Sequence, residues 1–200
     1  MEIRRIIVGP LRTNCYCVVS RGEALIIDPG ADPMRIIDLL GDTKLRYIIA
    51  THGHFDHVSA VEPLRKRYSS PFLIHREDEE TLRIFGSYVL CGSPPRPDRF
   101  LEEGDIVRVG DEIFHIIHTP GHTPGSICIY SSSSKVVFTG DTLFRGAFGR
   151  TDLPGGDPEK MFDSLRKIFR ILTDEYVVYP GHGESTTIGE EKRHYLALLR

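Results

Sequence analysis

The chain has no tryptophan, only three methionines and only four cysteines among its 200 residues. The cysteines (Cys15, Cys17, Cys91 and Cys128) show no CxxC spacing and are too sparse for a disulfide framework. That excludes a thiolate zinc knuckle and a disulfide-stapled secreted scaffold, and a reduced, cytoplasmic protein is expected. No apolar run approaches the roughly 20 residues that a membrane-spanning helix needs. The N-terminal apolar stretch meets Gly9-Pro10 too early to form a signal-peptide core. Neither charge sign is in strong excess: the net charge is -3 and the pI about 6.3. No nucleic-acid or membrane partner is therefore expected.

What is present is an ordinary soluble composition, 40% hydrophobic and 26% charged, long enough for one domain spanning 1–200. Apolar runs at 2–8, 14–20 and 24–28 read as strands, with Arg21-Gly22 as a hairpin turn. Asp32 and Pro33 read as the N-cap and first residue of a helix that stops at Gly41. A strand at 45–50 leads into a helix through Val58, Val61, Leu64 and Tyr68, followed by a strand at 71–75. Residues 86–100, with Pro94, Pro95 and Pro97, read as a long loop. Further strands are expected at 106–109, 112–118, 127–131, 136–139 and 176–179. A glycine-rich loop at 144–156 separates them from a helix at about 157–171, and a last helix is expected at 188–199. Strands followed by helices in both halves suggest two sheets packed face to face with helices outside.

Nine histidines carry the strongest chemical signal. A lone histidine is more often a structural residue than a ligand, so His75, His115 and His194 are read as structural. His52, His54, Asp56 and His57 are different, because four ligand-type residues fall within six positions after an apolar strand. In extended chain, side chains at i and i+2 share a face, so His52 and His54 can meet one ion. Asp56 and His57 enter the next helix and point elsewhere. A catalytic site wants about three protein ligands and an open position, so distant partners are required. His122, Asp141 and His182 qualify, each following an apolar strand that ends at a glycine. Nitrogen and oxygen donors without thiolate fit Zn, Fe or Mn.

The run His52-Gly53-His54-Phe55-Asp56-His57, followed by His122, Asp141 and His182, resembles the H-x-H-x-D-H signature of the metallo-β-lactamase superfamily. Thr13-Asn14-Cys15-Tyr16, Ile27-Asp28-Pro29-Gly30, the stretch from His118 to Gly125 and that from Thr139 to Phe144 most resemble the glyoxalase II (hydroxyacylglutathione hydrolase) branch. The resemblance implies an α/β fold, a four-layer αβ/βα sandwich of two mixed sheets with helices on the outer faces. It also implies two divalent metal ions, zinc first, with iron or manganese as alternatives. His52, His54 and His122 would hold the first ion, and Asp56, His57 and His182 the second, with Asp141 bridging. Only 18 residues follow His182, so the helical C-terminal domain of glyoxalase II is expected to be lacking.

The expected reaction is hydrolysis of a small-molecule thioester such as S-lactoylglutathione by a metal-bridging hydroxide. Asp56 and Asp141 are the expected catalytic carboxylates. Arg150 is the candidate for a substrate carboxylate, with a salt bridge to Asp152 as the competing role. Asp28 and His118 are candidates for orienting ligand histidines, with turn formation as the competing role for Asp28. Gly149-Arg150-Thr151-Asp152 also resembles the mononuclear iron persulfide dioxygenases of the same fold. A lactonase or other ester hydrolase, and a non-enzymatic metal-binding module, complete the alternatives.

Overall fold

The alternating apolar segments assemble into two six-stranded mixed sheets in a computed structural model that describes residues 1–89 and 94–195. The first sheet begins with an antiparallel meander of β1 (Glu2–Val8), β2 (Thr13–Ser20) and β3 (Glu23–Ile27). Helix α1 (Pro33–Leu40) then returns the chain so that β4 (Lys44–Ile49) lies parallel to β3. Helices α2 (Phe55–Val58) and α3 (Val61–Tyr68) lead to β5 (Phe72–His75). A 3-10 turn at Arg76–Asp78 and α4 (Glu79–Val89) precede β6 (Arg99–Leu101), and β4, β5 and β6 are again parallel.

The second sheet starts with β7 (Ile106–Val109), β8 (Glu112–His118), β9 (Ile127–Ser131) and β10 (Val136–Gly140), all antiparallel neighbours. A short hairpin follows, β11 (Leu143–Phe144) with β12 (Ala147–Phe148). Helix α5 (Pro158–Ile171) then sets β13 (Val177–Pro180) parallel to β10. The edge is completed by β14 (Thr186–Thr187), and α6 (Ile188–Tyr195) follows.

The period of two along each strand sorts the apolar residues into three buried layers. On β2 and β3, Cys15, Cys17, Ala24 and Ile26 pack in one layer with Ile36, Leu40 and Leu64 of the outer helices. Their neighbours Tyr16, Val18, Leu25 and Ile27 turn the other way and meet Phe114, Ile116, Ile129 and Phe138 of the second sheet. Ile117, Cys128 and Val137 face outward again, against Met161, Leu165 and Ile168 of α5. This is the four-layer αβ/βα arrangement expected from the sequence. It also gives Cys15, Cys17 and Cys128 the role of small buried residues with free thiols; Cys91 lies outside the described residues.

Several local expectations need correction. Asp32 does precede α1, but its backbone is left-handed and its side chain makes no cap; it instead accepts from Gly9 N at 3.1 Å and pairs with Arg35. The helix expected through 58–68 is broken between Val58 and Val61. The loop expected at 86–100 begins inside α4 and ends inside β6, with 90–93 outside the described residues. The glycine-rich stretch 144–156 contains the second strand of the β11–β12 hairpin. The last helix is described to Tyr195, and the remainder of that expectation lies outside the described residues.

Among the described residues, no helix is long and apolar enough to cross a membrane. Phe138 anchors the layer between the sheets, its ring 5.2 Å from that of Tyr16 and 5.3 Å from that of Tyr179. Truncating Phe138→Ala should therefore lower unfolding free energy by about 3–5 kcal/mol. A denaturant titration showing a loss below about 1 kcal/mol would contradict the packing described.

Candidate metal centre

Five of the seven candidate ligands sit just past a strand end or in a connecting loop, and Asp56 and His57 lie in α2, the short helix that follows β4. His52 and His54 follow β4, and His122 lies in the β8–β9 connection. Asp141 follows β10 and His182 follows β13, whose tip Pro180 pairs with Gly140 of β10. Strand ends thus bring residues distant in sequence to one edge of the two sheets. His52, His54, His57 and His122 are buried; Asp56, Asp141 and His182 are partly exposed.

The donors converge in three overlapping groups: His52, His54 and His122; His52, His57 and Asp141; and Asp56, His57 and His182, with donor atoms in each group within 4.8 Å of one another. His122 Nε2 lies 2.9 Å from His54 Nδ1, and His57 Nε2 lies 3.4 Å from His182 Nε2. Asp56 Oδ2 is 3.3 Å from His182 Nε2 and 3.5 Å from His57 Nε2. Asp141 reaches both ends: its Oδ2 is 3.5 Å from His122 Nε2 and 3.5 Å from His182 Nε2. Its Oδ1 is 3.6 Å from His57 Nε2.

Hydrogen bonds behind the rings select which nitrogen faces the centre. His122 Nδ1 donates to the main-chain oxygen of Arg150 at 2.7 Å, which turns Nε2 inward. Thr51 Oγ1 donates to Asp28 Oδ2 at 2.8 Å and so can only accept from His52 Nδ1, 3.2 Å away. His52 Nε2 is thereby freed toward the centre. Asp28 Oδ2 also lies 3.1 Å from His57 Nδ1, leaving His57 Nε2 for the cluster.

Burial, reinforced by neighbouring histidines, pushes His52 well below the usual imidazole range and His54 down to about 3. Both are therefore held neutral, the form that can bind a metal. Burial works against a charge on His57 as well, yet the carboxylates of Asp56, Asp141 and Asp28 outweigh it and raise His57 to about 10. Asp56 is held well below the usual carboxylate range, since His57, His182 and Thr13 outweigh its burial. His52 and His54 thus offer neutral nitrogens, while the second group concentrates negative charge that calls for a cation.

Of the remaining sequence candidates, Asp28 stands directly behind Thr51 and His57. His118 contacts none of the seven: it stacks on His75 at 3.9 Å and donates to Pro124 O at 2.8 Å. The Arg150 guanidinium forks onto Asp152 at 2.7 and 2.8 Å on the exposed rim. Sequence reasoning passed over Thr13, Asn14 and Asp78. Thr13 Oγ1 donates to Asp56 Oδ2 at 2.9 Å. Asn14 Nδ2 donates to Pro180 O and Gly183 O, each at 2.9 Å, and so grips the His182 turn from the opposite sheet. Thr13 and Asn14 belong to the recognised run Thr13-Asn14-Cys15-Tyr16 but were given no role in the site; Asp78 stands in an acidic run with Glu77, Glu79 and Glu80 that carries no site signal of its own.

The model of the metallo-beta-lactamase superfamily matches residues 8–182, from the end of β1 through the last candidate ligand. The chain belongs to the metallo-beta-lactamase superfamily. Among curated relatives of this superfamily member, hydroxyacylglutathione hydrolase GloC of Haemophilus influenzae is 38% identical over 206 residues, covering 96% of both chains. Similar solved structures include BLEG-1 B3 metallo-beta-lactamase, at 37% identity and TM-score 0.89 over the whole of both chains. TTHA1623 in a di-iron-bound form is 37% identical with TM-score 0.86, covering 96% of this chain and 98% of the other. ETHE1 from Myxococcus xanthus is 30% identical with TM-score 0.81, covering all of this chain and 85% of the other.

The residues themselves fit the metal centre of a superfamily member. Buried His52 Nε2 and Asp141 Oδ1 have no hydrogen-bond partner, an arrangement that is costly unless another ligand satisfies it. The close approach of chain to centre is visible at Gly181, where an added Cβ would meet Asp141 Oδ1 at 2.2 Å and His57 Cε1 at 2.8 Å. Gly181→Ala should therefore displace Asp141 and reduce metal affinity by about tenfold or more, while far-ultraviolet circular dichroism stays native. Unchanged metal content after dialysis would contradict this geometry.

Proposed function

We propose that the protein is a binuclear metal-dependent thioester hydrolase of the hydroxyacylglutathione hydrolase type, with one ion on His52, His54 and His122 and a second on Asp56, His57 and His182. Asp141 bridges them, and zinc is the first candidate, ahead of iron and manganese. The observation that carries the reading is the reach of Asp141 to both histidine groups. The 38% identity to GloC, spread over almost the full length of both chains, points to the thioester class.

When bound, the ions supply a water whose pKa falls from about 15.7 to about 7 and positive charge for a developing oxyanion. Asp56 and Asp141 are the carboxylates that would orient that water. Hydrolysis breaks the acyl carbon–sulfur bond and adds the elements of water, giving a carboxylic acid and a thiol. A leaving thiol with pKa near about 8.5 departs as thiolate with little help from a general acid, which matches a site without a separate proton donor. A cysteine nucleophile is not required: burial pushes Cys17 up to about 11 and Cys128 up to about 12, and Cys15 is also raised. Arg150 is the proposed anchor for a substrate carboxylate, in competition with Asp152.

ETHE1-like chemistry is the second reading, favoured by the 30% identity to that structure and by Gly149-Arg150-Thr151-Asp152. Metal-depleted protein should hydrolyse S-lactoylglutathione at the background rate, and restoring zinc, iron or manganese singly should identify the ion that returns turnover. One iron per chain, with oxygen uptake on glutathione persulfide and no thioester hydrolysis, would overturn the hydrolase assignment. Asp152→Ala should lower KM for an anionic thioester by freeing the Arg150 fork, and Arg150→Ala should raise it, with kcat little changed in both. Equal KM values in steady-state kinetics would remove Arg150 from the substrate site.

A further inference from the structure

Asp78 lies outside the seven ligands and touches none of them, yet it is fully buried and saturated with hydrogen bonds. Its Oδ2 accepts from Gly53 N at 2.6 Å and from Thr123 Oγ1 at 2.8 Å. Its Oδ1 accepts from Gly125 N at 2.7 Å and from Thr81 Oγ1 at 3.1 Å. Gly53 lies between His52 and His54, and Thr123 follows His122 directly. One carboxylate, arriving from the end of β5 in the first sheet, thus ties together the two loops that carry the three-histidine group. The approach is close: a Cβ at Gly125 would meet Asp78 N at 2.5 Å and its Cβ at 2.8 Å.

The second group has its own supports. Thr13 bonds Asp56 and Asn14 holds the His182 turn, whereas Asp28 and Asp141 serve both groups. We infer that Asp78 is a positioning residue for the His52–His54–His122 group alone, so that its loss weakens that metal position and spares the other. The inference rests on the two-ion reading above but not on the thioester chemistry. An ionised carboxylate is an acceptor only, with about four lone-pair sites, and four donors fill them. An amide of the same shape turns an N–H against one of those donor pairs, so Asp78→Asn strains the clamp without changing its volume.

The test separates the positions by removing one at a time. Zinc chloride is titrated against a chelating indicator in the wild type, in His182→Ala, which retains the three-histidine group, and in His54→Ala, which retains the other. Adding Asp78→Asn should weaken zinc binding by about 10–100-fold in the His182→Ala background and leave it within about twofold in His54→Ala. Thr13→Val should show the reverse preference. Equal weakening of both backgrounds by Asp78→Asn, or none in either, would overturn the inference while leaving the two-ion reading intact. Wild-type protein that takes up no zinc, iron or manganese would overturn that reading and this inference with it. If Asp78→Asn does not fold by circular dichroism, Thr123→Val removes one donor and keeps the carboxylate. It should weaken the same position selectively, and equal effects in both backgrounds would again count against the clamp.

Discussion

Five imidazoles and two carboxylates cannot share a few ångströms of partly desolvated space unless each ring is told which nitrogen to turn inward. That requirement organises the site. His122 is set by the Arg150 carbonyl, His52 by Thr51 and behind it Asp28, and His57 by Asp28 directly. The outward nitrogens of His52 and His122 are hydrogen-bonded to the scaffold, and the inward nitrogens of the cluster are left facing each other at 2.9 and 3.4 Å. Inward donors without protein partners are a liability in a metal-free fold and an asset once a cation binds.

The sheets supply this control because their strand ends meet at one edge. Tyr16 donates its hydroxyl to Pro180 O at 2.7 Å, crossing from the first sheet to the second at the base of the His182 turn. Gly181 N donates to Gly140 O at 2.8 Å, locking the His182 and Asp141 turns together. Asn14 N donates to Gly181 O at 2.7 Å. The packing between the sheets and the spacing of the ligands are therefore coupled, and the aromatic layer around Phe138 lies close beneath the chemistry.

Much of this was legible in the residues. Strands followed by helices in both halves announced two sheets with helices outside, and the cluster at 52–57 with three later strand-end ligands announced the centre. What resisted reading was whatever depends on partners distant in sequence. Asp78 looks like one more acid at a helix start until Gly53, Thr123 and Gly125 are brought to it. Asp32 has the composition of an N-cap, yet Gly9 and Arg35 claim its carboxylate. Arg150 looked like a substrate anchor by side chain, whereas its observed contact with the site is through its main-chain oxygen. The hairpin of β11 and β12 was hidden because two-residue strands carry no periodicity.

Membership of the superfamily gives the fold, and the relatives differ in what they are named for: hydroxyacylglutathione hydrolase GloC, BLEG-1 B3 metallo-beta-lactamase, TTHA1623 in a di-iron-bound form and ETHE1. The central claim is two ions held by seven side chains. Anomalous-difference diffraction at the absorption edge of the loaded metal tests it most directly. Two peaks are predicted, one enclosed by His52, His54 and His122 and one by Asp56, His57 and His182, with Asp141 touching both. A single peak within His52, His54 and His122, or density away from these residues, would contradict the account.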